Sequence, residues 1–566
     1  MASRVSLRLI YTDEMSRVLE PLDPALSEKM VIARVVQEIN RLALIKHDAA
    51  AREIIVHLLV QEVVRSRMSA DQLVAARDAV HGVLVAARPR RDVDDPETWD
   101  RYRLMWPHLA PSQAMSSSVE AVRQLFIDRV RYLWLRGDLD RGAQLARETD
   151  MCWTELEATA DPATARVLRR QILQLRFNRG NILRSQGRYA EARELNTATL
   201  AEQTRLLGED HPHTLMTAGS LGGDLRAIGR YREALEMDQR TYPAWTALYG
   251  EDHQRTLSAA NNLATSLRLS GDVTAALRVD SETYERRRTA LGPHDLWTLS
   301  SARGIAHDLL EAGQYAEAMA RMEETHRLTA KALGADSPDA LAAQVLFGIA
   351  LRSTGRLAEA DKAFQAALGM LTRRFGPSSS EVLACRLSNA ANLLTMDRFE
   401  EATTDTRQVL AAYSERLGSR HPHTLVCQVN LAAVLRNTHR DEALAAIRES
   451  VTGLADVLGD DHPYTLAAQM SYGTLLADQG DLGQAEQLYV RTVEALARVL
   501  GPGHPDTLRC RANLLLTREQ LGDHTASAHC SATINQLAGL LGEGHPTIGT
   551  LRSGRKLVRA LDPQPF

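Results

Sequence analysis

Apolar residues recur along this chain at helical intervals, and the helical stretches themselves recur. From about residue 117 to 560 they form runs of about 14 to 18 residues, divided by two alternating kinds of punctuation. The first is Leu-Gly-x-x-His-Pro-x-Thr-Leu, clean at 207–215, 417–425, 458–466 and 500–508, with degraded copies beginning at Tyr249, Leu291, Leu333, Phe375 and Leu541. Its glycines, from Gly208 to Gly542, stand 41 or 42 residues apart. The second lies between successive copies of the first: GRYAEA at Gly187, GRYREA at Gly229, GQYAEA at Gly313 and GRLAEA at Gly355. It becomes DRFEEA at Asp397 and shortens to HRDEA at His439.

Both punctuations have a local mechanism. Proline suits the first turn of a helix, where its missing N–H would be unpaired anyway. Glycine supplies the left-handed residue that closes a helix. Two columns report what is buried. The Leu after Thr recurs at Leu215, Leu257, Leu299, Leu341, Leu383, Leu425, Leu466 and Leu508, and the Ala of the second motif at Ala192, Ala234, Ala276, Ala318, Ala360, Ala402, Ala443 and Ala485. A large knob and a small residue at fixed places let helices cross closely, unit upon unit. One such pair cannot bury its apolar face alone, so the expected object is a stacked array.

Residues 1–88 do not repeat. Helical periodicity covers 26–44, a short alternating stretch and a β-like run at 54–56 follow, and two further helices cover 56–68 and 73–87. Helix, small hairpin, helix is the outline of a winged-helix-like module over 1–88. Residues 89–116 read as connector and cap, and 117–566 as the array.

Composition narrows the classes. Lys and Arg total 67 against 71 Asp and Glu, a net charge of −4, and aromatics make up 5%. That balance disfavours nucleic acid as a partner. No apolar run approaches the roughly 18 residues a membrane span needs. The five cysteines are scattered without a CxxC pair, so no disulfide framework is expected and a cytoplasmic location is the default.

Paired helices with Gly-x-Tyr and Glu-Ala opening the second one resemble tetratricopeptide repeats. The 42-residue period with HPxTL resembles the longer variety of kinesin light chains and many bacterial regulators. The resemblance departs at LGPHDLWTL (Leu291) and FGPSSSEVL (Phe375), which leaves those helix starts open. It implies an all-α fold, a right-handed α-solenoid (superhelix) of about ten helix pairs with a closing helix. It also implies a concave groove lined by the first helices, where Asn hydrogen-bonds the backbone of an extended peptide. The stretches VHLLVQEVVRSRM, ETWDRYRLMWPHL and RQLFIDRVRYLWLRGD resemble those joining an NB-ARC module to its repeats in actinobacterial STAND regulators, including the tetratricopeptide proteins of the FxSxx-COOH system. No GxxxxGK[ST] loop is present, so the resemblance implies the architecture and not the nucleotide chemistry.

Two columns are candidates for the groove. Arg184, Arg226, Arg268, Arg352 and Arg436 lie three residues before the Gly position of the second motif. Such a ladder clamps acidic side chains or a peptide carboxylate, or simply favours the helix C-terminus through the macrodipole. Six residues after the Thr position stand Ser220, Asn262, Gly304, Leu346, Ser388, Asn430, Ser471 and Asn513. Small polar side chains there either capture a peptide backbone, an Asn offering donor and acceptor together, or make a helix–helix polar contact. The histidines of the His-Pro motif recur as turn elements and are not expected to bind metal. The column containing Cys385, Cys427 and Cys510 alternates with Ala and reads as a small buried site. No cofactor, metal site or catalytic set is expected. The function these features point to is a non-catalytic scaffold for a protein or peptide partner, the sensor or partner-binding arm of a bacterial signalling or regulatory system. The alternative is the C-terminal fragment of an NB-ARC/STAND NTPase regulator.

Overall fold

The computed structural model describes residues 3–21 and 23–563. By compactness the chain divides into two units, residues 1–209 and 210–566. The division falls inside the repeat array.

Unit 1 opens with β1 (Arg4–Ser6), α1 (Leu7–Ile10), α2 (Asp13–Leu19), α3 (Lys29–Arg41), β2 (Ile45–Asp48) and β3 (Glu53–Val56). The three strands form one antiparallel sheet in the order β1-β3-β2. The hairpin follows the helix as the sequence suggests, but β1 and α2 leave no periodic trace because they are too short to show one. Helix α3 stops at Arg41, short of the expected end, and Ala43 turns the chain at a φ of 56°. Val5, Ile10, Ile32 and Val36 make a small core.

Next come α4 (Leu58–Arg67), α5 (Ala70–Ala87), α6 (Trp99–Leu109), α7 (Glu120–Leu135), α8 (Leu139–Thr159), α9 (Pro162–Ser185) and α10 (Tyr189–Leu207). A second core gathers Tyr102, Trp106, Phe126 and Trp153. Arg88 ties α5 to α7 through Asp128, Nε to Oδ2 at 2.6 Å.

Unit 2 contains eight helix pairs: α11 (Pro212–Ala227) with α12 (Tyr231–Tyr249), α13 (Gln254–Leu269) with α14 (Val273–Leu291), α15 (Leu296–Glu311) with α16 (Tyr315–Leu333), α17 (Pro338–Ser353) with α18 (Leu357–Phe375), α19 (Ser380–Thr395) with α20 (Phe399–Leu417), α21 (Pro422–Leu435) with α22 (Arg440–Leu458), α23 (Pro463–Asp478) with α24 (Leu482–Val499), and α25 (Pro505–Gln520) with α26 (Ala526–Leu541). Helix α27 (Pro546–Arg552) closes it. With the two pairs α7–α8 and α9–α10, the described residues hold ten pairs and a closing helix. The fold is an all-α solenoid.

Every Ala of the conserved column is fully buried, and every Leu of the companion column is 5% exposed or less. Within unit 2 each helix packs on the next, and each first helix from α11 to α25 also on the first helix of the neighbouring pair. The single-residue deletion near His439 is absorbed by shortening α21 to 14 residues. The irregular motifs at Leu291 and Phe375 keep their helix starts. Asp295 caps α15 by accepting from the Trp297 amide at 2.9 Å, and Ser379 caps α19 by accepting from Val382 at 3.3 Å.

The His-Pro motif does more than start a helix. His462 Nδ1 accepts the backbone N–H of Tyr464 at 3.1 Å, which caps α23. Since an amide N–H can only donate, the ring proton sits on Nε2, and Nε2 donates to the carbonyl of Leu269, 3.1 Å away and 193 residues earlier. His421 makes the same pair of bonds with His423 and Ala227, and His504 with Asp506 and Glu311. One winding of the array thus lies directly on the next. Gly271 shows how close they are: its φ is +89°, and a Cβ there would meet Pro463 Cδ at 2.7 Å. Burial pushes the imidazoles of His421 and His462 down to about 4, which keeps them neutral.

Candidate functional site

The Arg column follows the small polar column by six residues, about one and two-thirds helical turns, so the two lie roughly 120° apart around each first helix and flank the face between them. In the later repeats that face holds part of the chain itself. After α27 the chain leaves helical geometry, and residues 555–563 run back along α25, α23, α21 and α17.

Asn513 Nδ2 donates to the Leu557 carbonyl at 2.8 Å, and the Leu557 N–H donates back to Asn513 Oδ1 at 2.9 Å. Asn430 and Leu561 make the same exchange at 2.8 Å in each direction. Between them, the Arg559 N–H donates to Ser471 Oγ at 2.9 Å. Bonded residues 557, 559 and 561 alternate with residues that point elsewhere, the period of an extended strand. A side-chain amide closing both backbone bonds of one residue makes no demand on that residue's side chain.

The side chains add specific contacts. Arg436 binds Asp478 through two bonds, at 2.5 and 3.0 Å, and donates to the Lys556 carbonyl at 2.7 Å. Arg352 donates to the Ser388 carbonyl at 3.0 Å and to the Asp562 carboxylate. Arg559 Nε lies 3.2 Å from Asp506 Oδ1, and Arg509 is paired with the same carboxylate at 2.5 Å. Burial would raise the Asp506 carboxyl, but Arg559, Arg509 and His504 hold it far below the usual range.

Not all the sequence candidates meet the segment. Arg226 is buried on Asp238 at 2.6 Å and Ser266 at 2.9 Å. Arg268 is buried on Asp308 at 2.7 Å. These two clamp acidic side chains of the array itself. Burial raises the carboxyls of Asp238, Asp280 and Asp308 despite these arginines. Ser220 is buried in α11, and Arg184, in unit 1, donates to Asn181 at 2.8 Å. Asn262 is half-buried, accepts from Arg226 at 3.4 Å, and lines a cavity of about 380 Å³ with Thr265, Trp297, Arg303 and His307.

Several contributors escaped sequence reasoning. Thr474 Oγ1 donates to the Leu557 carbonyl at 2.7 Å, and the Tyr464 hydroxyl donates to the Asp562 carbonyl at 2.8 Å. Thr474 stands three residues after Ser471, as Thr265 does after Asn262, so the column one turn along the same face carried the signal. The cysteines of the Cys/Ala column are buried, and burial pushes the Cys385 thiol up to about 12. Among the described residues, no helix is long and apolar enough to cross a membrane.

A tetratricopeptide repeat family model matches residues 171–247, 221–289, 255–329, 297–373, 428–496 and 464–532, together more than half of the chain. No curated protein matches the sequence significantly. Among solved structures, a kinesin light chain of nearly identical TPR-like repeats from Podosopora anserina is 22% identical, covering 36% of this chain and 96% of that chain with a TM-score of 0.30. The Rap protein complexed with Competence and Sporulation Factor is 12% identical, covering 76% and 99% with a TM-score of 0.46. The apo quorum sensor NprR from B. thuringiensis is 13% identical, covering 66% and 97% with a TM-score of 0.41.

Proposed function

We propose that this chain, which belongs to the tetratricopeptide repeat family, is a non-catalytic scaffold that grips an extended peptide along the first-helix face of unit 2. One observation carries the reading. Asn430 and Asn513 each exchange two hydrogen bonds with the backbone of an extended segment. Capture of that kind takes its affinity from the main chain and its selectivity from flanking pockets. The buried, high-pKa thiol of Cys385 fits a structural role and not a nucleophilic one.

The cavity beside Asn262 extends the same face toward earlier repeats. Arg303 there is one quarter exposed and donates to Asp339 at 3.1 Å, which gives an incoming acidic side chain a cation to compete for. The resemblance of residues 56–68 and their neighbours to regulator linkers supports a place as the partner-binding arm of a bacterial regulatory system, working in the cytoplasm.

A displayed library of random peptides panned against the unaltered chain tests the reading. Enrichment of sequences whose binding falls at least tenfold on the Asn262→Ala/Arg303→Ala variant is the expected result. A library that yields no binder to the chain would remove the proposal.

A further inference from the structure

We infer that residues 556–562 are a resident ligand of the groove, a segment that a peptide of matching chemistry displaces. The inference rests on the peptide-binding reading above and adds the ligand's pattern and the way access is controlled.

The segment is held as a guest is held. Its main chain is fixed by side chains of three first helices, at Leu557, Arg559 and Leu561. Two of its side chains are read by charge, Arg559 by Asp506 and Asp562 by Arg352. A third, Lys556, donates to Gln520 at 2.6 Å. Leu561 is buried at 5% exposure beside the Asn430 clamp.

The groove groups have partners of their own besides the segment. Asp506 keeps Arg509, Arg436 keeps Asp478, Arg352 keeps the Ser388 carbonyl, and Ser471 Oγ donates to the Ala467 carbonyl at 3.1 Å. Release of the segment therefore strands few buried charges, which lowers the cost of an open state. The two asparagines, Thr474, Ser471, Arg436 and Tyr464 lose main-chain partners in the segment, and those are the groups a new peptide would satisfy.

The register defines the competitor. It is an extended peptide with an aliphatic residue, then Arg two positions later, then a large aliphatic residue two positions after that, followed at once by Asp or Glu. In this chain the pattern is Leu557-Val558-Arg559-Ala560-Leu561-Asp562. A competitor with that pattern satisfies the two asparagines, Thr474, Ser471, Asp506 and Arg352, and a Lys one position before it satisfies Gln520.

The test uses the full chain and a fluorescent nonapeptide of the sequence of residues 555–563. In the Leu557→Pro/Leu561→Pro variant two clamped N–H donors are gone and the resident segment is unseated. The nonapeptide is expected to bind this variant at least tenfold tighter than the unaltered chain. Replacing the Arg that corresponds to Arg559, or the Asp that corresponds to Asp562, by Ala should weaken binding at least fivefold. Equal binding to both proteins, or no binding to a folded variant, overturns the inference, and the second outcome overturns the peptide-binding reading with it. Should the variant fail to fold, hydrogen exchange on the unaltered chain decides. The amides of Leu557, Arg559 and Leu561 are expected to exchange at least tenfold faster than those of α23 and α25, and faster still with excess nonapeptide. Protection equal to that of α23 and α25 would make the segment part of the permanent core and overturn the inference alone.

Discussion

Asn430 holds Leu561 by both backbone groups at 2.8 Å, across 131 residues of chain. Asn430 sits in a helix interior, fully within the array, yet its amide serves a strand and not a neighbouring helix. Replacing Asn430 by Ala should free the segment near Leu561 and leave the helices in place. The expected cost is about 1–2 kcal/mol from two hydrogen bonds. Hydrogen exchange at Leu561 should accelerate while α21 and α23 keep their protection; parallel loss in the helices would show the amide to be structural.

Gly271 serves two constraints at once. Its φ of +89° disfavours any side chain, and Pro463 of the next winding leaves no room for one. Gly271→Ala should cost about 1 kcal/mol for the backbone and a further 1–3 kcal/mol for the overlap. Gly250 has a similar φ of +82° with nothing near it, so Gly250→Ala should show the backbone part only. Urea unfolding of the two variants separates the contributions.

Acid should loosen the contacts between windings. His421 and His462 titrate at about 4 in the folded chain, because burial disfavours the charged ring, against about 6.5 when unfolded. Between those values the unfolded chain binds more protons, so this part of the stability is complete above pH 6.5 and is lost as pH falls toward 4. Each ring contributes on the order of 1 kcal/mol per pH unit across that window. Asp280, raised by burial, works in the opposite direction, so the comparison must be internal. His421→Asn/His462→Asn keeps the helix caps and removes the titration. Melting temperature should therefore fall less steeply between pH 6.5 and 4 in the variant than in the parent.

Asp397 occupies the turn that other repeats give to glycine, at a φ of 59°. The residue is exposed, and Arg398 donates to the Leu393 carbonyl at 3.0 Å as in a regular helix stop. Asp397→Gly should stabilise the chain by about 0.5–1 kcal/mol by relieving the left-handed backbone. A loss of stability on calorimetry would show that the carboxylate contributes more than the strain.

Much of this was legible in the sequence because it is periodic. The Leu and Ala columns, the glycine stops and the helix starts each state a local requirement many times over, and repetition separates it from noise. The groove columns were legible for the same reason, although periodicity alone could not say whether Asn430 faces a helix or a strand. What could not be read is aperiodic or long-range. Nothing in Leu557-Val558-Arg559 marks a segment that lies on α23 and α25. The bond from His462 to Leu269 depends on the small rotation between successive pairs, which no single repeat spells out. Arg226 and Arg268 shared a column with Arg352, and only the packed structure shows that the first two spend their charge on Asp238 and Asp308.

The stitching of one winding to the next also bears on how such an array lengthens. His421 reaches back 194 residues and His462 and His504 reach back 193, so a shift of one residue is tolerated. Each stitch joins one standard motif to another, so duplicating an entire module hands every histidine an equivalent acceptor. Duplicating a fraction of a module would set histidines against the wrong part of a helix. Unit number is free to vary while unit length is held to within a residue.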